Sequence, residues 1–352
     1  MSNLPHTPMY WIDIQEHFND LVLGTYGRGI WILDDISPLQ QLNKEIVKKE
    51  SYLFDIKTSY RFHNVTSTLQ IYPEASSGMD PPSGASINYW LKNSDKDVKL
   101  IITNSDNDTV KTINDKGNVG INRVWWDYRG ENTDDIVFRT KPLYADWVSI
   151  GDDRIRKLPS SVSIMHPPGG YNVSLVIDDK IISTKKMDVL KDPHSEGTLE
   201  DIGLQISLMK KIYDDLNITA KYVNSIEKVR RQLLDLKSIL SSSENNQSII
   251  LKINEIENKF LEIEKKLLQL QTTGTGQDEV RYEKMIGEKL AYLANNVPNA
   301  DFKPADSYYE VYEILHKRLE KVGVEYDNLM DTELKAFIQK LNSEGVNTIV
   351  LK

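Results

Sequence analysis

Two neighbouring segments, Asp20-Leu21-Val22-Leu23-Gly24-Thr25 and Gly29-Ile30-Trp31-Ile32-Leu33-Asp34, constrain this chain more than any other part of it. Both are short and apolar. The Tyr26-Gly27-Arg28 between them is a tight connection where glycine supplies unusual backbone angles, so the pair reads as a β-hairpin. Side chains alternate between faces along a strand. Ile30 and Ile32 therefore point one way and Trp31 and Leu33 the other, and the first strand is also apolar on both faces. A hairpin apolar on both sides requires protein on both sides, as a propeller blade between its neighbours has. The sequence encodes no neighbouring blades, and one repeat cannot bury its own faces. Residues 1–45, which also carry the strand Tyr10–Ile14, are expected to be the remnant of a last propeller blade, cut out of something larger.

The chain changes character at Ser51. Tyr52-Leu53-Phe54, Ala85–Leu91, Val98–Thr103, Thr109–Ile113, Gly120–Tyr128, Gly170–Ile177 and Ile181–Val189 are short strand signals. They are separated by turn-formers such as Asn104-Ser105-Asp106-Asn107-Asp108 and Asp178-Asp179-Lys180, and residues 73–84 form a polar, Pro/Gly/Ser-rich loop. This rhythm predicts an Ig-like or fibronectin-type antiparallel β-sandwich over 51–192. Residues 130–168 break the rhythm and read as a long insertion.

From residue 198 onward the period is helical. Ile202, Ile206, Met209, Tyr213, Leu216, Ala220, Val223, Ile226, Val229, Leu233, Leu236 and Leu240 recur at threes and fours, which places them on one face of a long helix. Ile249–Gln271, Glu279–Val297 and Ser307–Asn342 repeat the pattern after breaks at 241–246 and 272–277. Four amphipathic stripes predict an antiparallel helical bundle over 198–352, with a coiled-coil partner as the alternative use of so narrow a stripe. The whole is thus expected to be multidomain β plus α.

Composition excludes several functions. With 352 residues, length allows two or three domains. Net charge is −9, the reverse of what a phosphate backbone attracts, so no nucleic acid is expected as partner. No run of ~20 apolar residues exists, so no membrane span is expected. The start, Met1-Ser2-Asn3-Leu4-Pro5, has neither basic nor apolar signal-peptide character. The absence of cysteine removes disulfides, thiolate catalysis and Cys-based zinc sites.

The run from Asp20 through Gly24-Thr25-Tyr26-Gly27-Arg28-Gly29 and Trp31 to Ser37-Pro38-Leu39 resembles the last-blade signature of large BNR-repeat, sortilin-type propeller proteins, a glycosyl hydrolase-like family. Gly120-Ile121-Asn122-Arg123-Val124-Trp125-Trp126-Asp127 resembles a strand of that family's C-terminal Ig-like domain. Pro167–Val173 with Ile177–Lys180 resembles the following hairpin. Leu334–Phe337, Leu341-Asn342, Gly345-Val346 and Ile349 resemble the final helix and terminus. The resemblance covers nearly the whole chain in order. It makes Gly24, Gly27, Gly29 and Trp31 structural motif residues, and it implies a propeller domain encoded elsewhere as partner, a glycan as ligand, and an envelope or extracellular location if the parent is exported. The Ser-x-Asp-x-Gly-x-x-Trp box typical of BNR repeats is absent. The expected function is accordingly a non-catalytic C-terminal accessory or interaction module. The alternatives are a sialidase-like hydrolase of glycosidic bonds and a carbohydrate-binding or self-associating module.

The candidate sites follow from residue chemistry. Glycoside hydrolysis needs two carboxyl groups facing one sugar, or a tyrosine nucleophile in sialidases. Asp34 and Asp35 end a strand, where alternation should aim them at opposite faces, so a polar strand terminus is the plainer reading. Tyr26 and Arg28 match sialidase chemistry in type but sit on a turn. Together Tyr26, Arg28 and Asp34 are the catalytic candidates. Trp125 and Trp126 are the ligand or interface candidates: of two adjacent strand residues one faces the core and the other outward. Trp90 and Trp147 would join them in a sugar-stacking platform, although core packing is the commoner use of such residues, as it is for Tyr308, Tyr309 and Tyr312. The spacing of Gly24, Gly27 and Gly29 is no nucleotide loop, because a strand follows where a helix is needed. Asn104, Asp106 and Asp108 alternate like a calcium loop but lack its glycine and closing glutamate, leaving a hairpin turn. The histidines at 6, 17, 63, 166, 194 and 316 are scattered, so neither metal nor cofactor is expected.

Overall fold

The computed structural model describes residues 4–63, 82–93, 96–143, 154–156, 161–241, 246–271 and 281–346. Trp147, Ile349, most of the 73–84 loop and the 272–277 break lie outside these residues. The chain forms two compact units, Met1–Glu131 with Met165–Leu199, and Asn132–Ile164 with Glu200–Lys352. The first is built mainly from antiparallel strands and the second mainly from helices.

The first unit opens with a three-stranded sheet of β1 (Met9–Gln15), β2 (Asp20–Thr25) and β3 (Ile30–Leu33), with β2 in the middle. The hairpin between β2 and β3 turns on Gly27 and Gly29, at φ 71° and 73°, where a side chain would be strained. Register sets the faces. Ile12, Leu23 and Trp31 are cross-strand partners, and so are Asp13, Val22 and Ile32. One face therefore carries Ile12, Ile14, Leu21, Leu23, Trp31 and Leu33. The other carries Trp11, Val22, Ile30 and Ile32. Only Leu23 among these is buried.

Two short helices follow, α1 (Ser37–Gln41) and α2 (Lys44–Lys48), which apolar periodicity did not announce. Pro38 opens α1, and the Asn43 side chain caps α2 by accepting from the amides of Glu45 and Ile46.

Two further sheets share one core. The first is β4 (Ser51–Leu53), β6 (Ala85–Leu91) and β9 (Gly120–Trp126), in the order β4-β6-β9. The second comprises β5 (Ser59–Arg61), β7 (Lys96–Thr103), β8 (Thr109–Gly117), β12 (Gly169–Ile177) and β13 (Lys180–Lys191), in the order β5-β13-β12-β7-β8. Among the described strands only β5 runs parallel to its neighbour. Alternate residues of both sheets meet: Leu53, Ile87, Tyr89, Leu91 and Trp126 from one, Leu100, Ile102, Val173, Leu175 and Val189 from the other. Gly84, at φ 126°, lies so close to Trp126 that a Cβ would come within 2.1 Å of the Trp126 carbonyl oxygen.

In the second unit, α3 (Leu199–Leu240) is unbroken for 42 residues. It is joined by α4 (Gln247–Leu267), α5 (Ile286–Asn296), α6 (Asp306–Asn328), a π-helical turn at Leu329–Leu334 and α7 (Lys335–Ser343). Most of the apolar stripes read from the sequence bury against one another in one core, with Ile206 and Tyr213 only half-buried. No helix among the described residues is long and apolar enough to cross a membrane.

Residues 132–164, expected to be an insertion in the β-region, belong to this helical unit. Polar residues of α3 hold β10 (Ile136–Phe138), which pairs with β11 (Arg154–Arg156), and its flanks, while Ile136 and Phe138 enter the helical core. Asn217 Oδ1 accepts from the Asp134 amide at 2.8 Å, and Asn224 Oδ1 from the Val137 amide at 2.7 Å. Glu227 accepts from the amides of Arg139 and Thr140 and from the Thr140 hydroxyl.

Candidate functional site

The polar contacts that tie the first sheet to β6 and β9 lie at one end, where β2 begins and β3 stops. Asp35 takes a left-handed backbone, φ 46°, which a short polar side chain tolerates. Its amide donates to Asp20 Oδ1 at 2.8 Å. Its carboxylate accepts from the Ser37 amide and hydroxyl on one oxygen and from the Ser86 hydroxyl, at 2.5 Å, on the other. The Arg123 guanidinium, on β9, donates to the carbonyl oxygens of Asp34 and Asp35 and to Asn88 Oδ1. Arg123 and Ser86 thus fasten the end of β3 to the β6–β9 pair.

Beside this fastening lies a cavity of about 320 Å³. Asp20, Asp34 and Asp35 all line it. This corrects the expectation that Asp34 and Asp35 face apart: regular strand ends at Leu33, and the left-handed turn at Asp35 cancels the alternation. The two carboxyls are displaced in opposite directions. Burial and the charge of Asp20 push Asp34 above its ordinary range. Burial would push Asp35 up too, but its hydrogen bonds from Ser37 and Ser86 outweigh that and hold it low. Lys57 supplies an ammonium group to the lining, its pKa lowered by burial. Its Nζ lies 5.3 Å from the centre of the Phe18 ring.

The walls are aromatic. His17 contacts Phe18 (4.6 Å between ring centres) and Tyr60 (6.0 Å), and Tyr60 stacks on Phe62 at 5.7 Å, so four rings run in contact along the lining. Trp125 also lines it. Trp126, its neighbour, is buried in the two-sheet core, with Tyr128 and Tyr171 packed edge-on at 5.5 and 5.0 Å. The pair divides between core and surface as alternation requires. Trp90 bonds through Nε1 to the Lys49 carbonyl and is not in the lining.

Tyr128 is the least ordinary residue here. It is 3% exposed and has φ 63°, a conformation uncommon for a bulky side chain and often retained at functional sites. Burial raises its phenol pKa, and the nearby Ser59 hydroxyl opposes this. Neither the Tyr128 hydroxyl nor Ser59 Oγ completes a hydrogen bond among the described residues, and both residues line the cavity.

The other sequence candidates lie elsewhere. Tyr26 is exposed and packs on Tyr10 at 5.6 Å. Arg28 is an exposed turn residue whose carbonyl accepts from Trp31 Nε1. Neither lines the cavity, so Asp34 is the one catalytic candidate that does. Gly24 lets β1 approach: a Cβ there would sit 3.4 Å from Trp11 Cβ. Asn104 Oδ1 accepts from the amides of Asp106 and Asp108, closing a hairpin turn. No group of three metal-ligating side chains occurs among the described residues.

No protein-family model matches this chain, and no curated protein matches it.

Proposed function

We propose that this chain is a non-catalytic accessory module whose first sheet packs between other β-sheets, as a blade of a BNR-repeat or sortilin-type propeller would, on an Ig-like sandwich and a helical bundle. One observation carries this reading: apolar side chains cover both faces of the β1–β2–β3 sheet and stay in water, with Trp11 70%, Ile12 64%, Ile30 72% and Ile32 59% exposed. Exposed apolar surface of this kind marks an interaction site. The outer edges of β1 and β3 pair with no described strand, so strand addition is open at either side. Hydrogen exchange tests it. Amides of β1 and β3 should exchange far faster than those of β12, and should gain protection when a BNR-repeat propeller polypeptide from the same genome is added. Exchange unchanged by mixing overturns the reading.

A hydrolase of glycosidic bonds is the second reading, favoured by Asp34 and Asp35 lining one cavity with carboxyls displaced in opposite directions, the pattern of an acid and its partner. It has less support, because both Asp35 oxygens already accept from Ser37 and Ser86, which gives that carboxylate a structural task. Turnover of aryl-glycosides by the isolated chain, lost in Asp34→Ala, would reverse the preference.

A further inference from the structure

The two faces of the first sheet are not alike. On the Ile12 face all three strands carry large side chains at two successive levels: Ile12, Leu23 and Trp31 at one, Ile14, Leu21 and Leu33 at the other. On the opposite face the middle strand is hollow. Trp11, Gly24 and Ile30 share one level, so a residue without a side chain stands between two large ones. A Cβ at Gly24 would find its nearest neighbours in the Cβ, amide nitrogen and carbonyl oxygen of Trp11, at 3.4 to 3.9 Å, so the indole ring leaves the space above Gly24 open. Asp13, Val22 and Ile32 share the next level, and its middle side chain, Val22, is half-buried.

The result is a trough along β2, walled by Trp11 on one side and by a ridge of Ile30 and Ile32 on the other. Ridge and trough match each other. A two-fold axis parallel to the strands, midway between β2 and β3, lays the β3 of each copy over the β2 of the other. Rotation about such an axis keeps every residue at its own level, so each Ile30 falls over the other copy's Gly24 and each Ile32 over its Val22. Asp13, the charge at these levels, is on β1, outside the overlap, and stays in water. The contact is isologous: one patch serves both sides, and the assembly closes at two copies. A foreign sheet would need a surface shaped to this trough, whereas a second copy already carries one.

We propose that this chain, when free of other β-sheet partners, forms a two-fold dimer through the face of Trp11, Val22, Gly24, Ile30 and Ile32, with the Ile30 of each copy seated over the Gly24 of the other. The dimer rests on the same reading of the first sheet as a docking element, and it competes with propeller docking for this face. The apolar surface on offer is roughly 500 Å² per copy, taking ~150–250 Å² for a large ring and less for each aliphatic side chain. That is the low end for a specific complex, so the dimer dissociates on dilution.

Sedimentation velocity on the full chain should show the average mass rising toward that of a dimer, and no further, as the concentration increases from about 5 to about 500 µM. Gly24 has no left-handed backbone, so Gly24→Ala is unstrained; it adds apolar surface but fills the trough. It should weaken association about tenfold with the circular dichroism spectrum unchanged. Ile30→Ser, which removes the ridge, should weaken it to a similar degree. Ile12→Ser, on the opposite face, should leave it unchanged. A chain monomeric throughout, masses that climb beyond two copies, Gly24→Ala associating as well as wild type, or association lost in Ile12→Ser would each overturn the dimer. Propeller docking is read separately, from the exchange of β1 and β3 with the propeller polypeptide added. A chain that stays monomeric yet gains that protection loses only the dimer, and one that dimerises yet gains none loses only the propeller reading.

Discussion

Ile12, Ile30 and Ile32 keep more than half of their surface in water, whereas Ile87, Leu100 and Val173, on other strands of the same unit, are fully buried. The residue types are alike and so is the backbone geometry. The core strands differ in having a second sheet across from them, while among the described residues no sheet is seen across either face of the first sheet. A strand pattern specifies which side chains share a face, but a second layer decides whether that face is removed from water. The two regions also differ in how they are held. The core is held by apolar burial, roughly 25 cal/mol per Å². The first sheet is fastened at one end by Arg123, Ser86 and Asp35.

The sharpest way to break this contrast is to truncate one tryptophan in each region. Trp126→Ala removes a fully buried ring from between Tyr128 and Tyr171. It should cost about 3–5 kcal/mol in urea unfolding of the β-sheet unit, the range for aromatic truncation in a core. Trp11→Ala, from an exposed face, should change stability by less than about 0.5 kcal/mol. Equal costs would mean that the first sheet is buried after all.

Much of this was legible in the sequence. The Ile202–Leu240 stripe is one continuous helix, and the hairpin turning on Gly27 and Gly29 is where turn chemistry puts it. Trp125 and Trp126 divide between cavity and core because strand alternation is local. What was not legible depends on contacts between distant residues or on single backbone angles. Asp34 and Asp35 converge on one cavity because Asp35 is left-handed, and alternation cannot anticipate that. Residues 132–164 join the helices through Asn217, Asn224 and Glu227, partners more than eighty residues away. Five-residue helices such as α1 and α2 are too short to show a period.

A second, smaller effect sets the helical unit against the β-sheet unit. Arg230 is buried among Glu227, Glu257 and Glu264, at 3.1, 2.9 and 2.6 Å, one cation for three carboxyls. Glu264 is wholly buried, and its second oxygen accepts no hydrogen bond. Burial first, and then the charge of Glu227, push its pKa up to about 8. A carboxyl whose pKa is raised on folding favours the folded state while it is protonated. Its contribution is therefore complete below the unfolded value, 4.5, and is lost as pH rises through about 8. Helical-unit stability should fall between pH 6 and pH 9 by roughly 1–3 kcal/mol in denaturant titrations followed by far-UV circular dichroism. Glu264→Gln keeps an acceptor for Arg230 and supplies a fixed N–H donor in place of the proton, so it should flatten that dependence. A wild-type chain equally stable at both pH values would show that Glu264 is ionised in the fold.

The smallest stability effect carries the most information about the first sheet. Ile30→Ser replaces an apolar side chain on the face shared with Trp11, Val22 and Ile32, already 72% exposed. Nothing is lost from a core, so the unfolding free energy should move by no more than about 0.5 kcal/mol. The surface should nonetheless change character. An environment-sensitive apolar dye such as bis-ANS should bind the wild-type chain at this face and bind Ile30→Ser less. Ile12→Ser, on the opposite face beside Leu23 and Trp31, should remove a second, separate share of the signal. Two additive losses are what a sheet open on both sides requires, because a ring bound on one face cannot reach the other through the backbone layer. Loss of the whole signal in either variant alone would mean that only one face is available, and the sheet would then be the edge of a two-layer structure, with no place for a neighbour on each side.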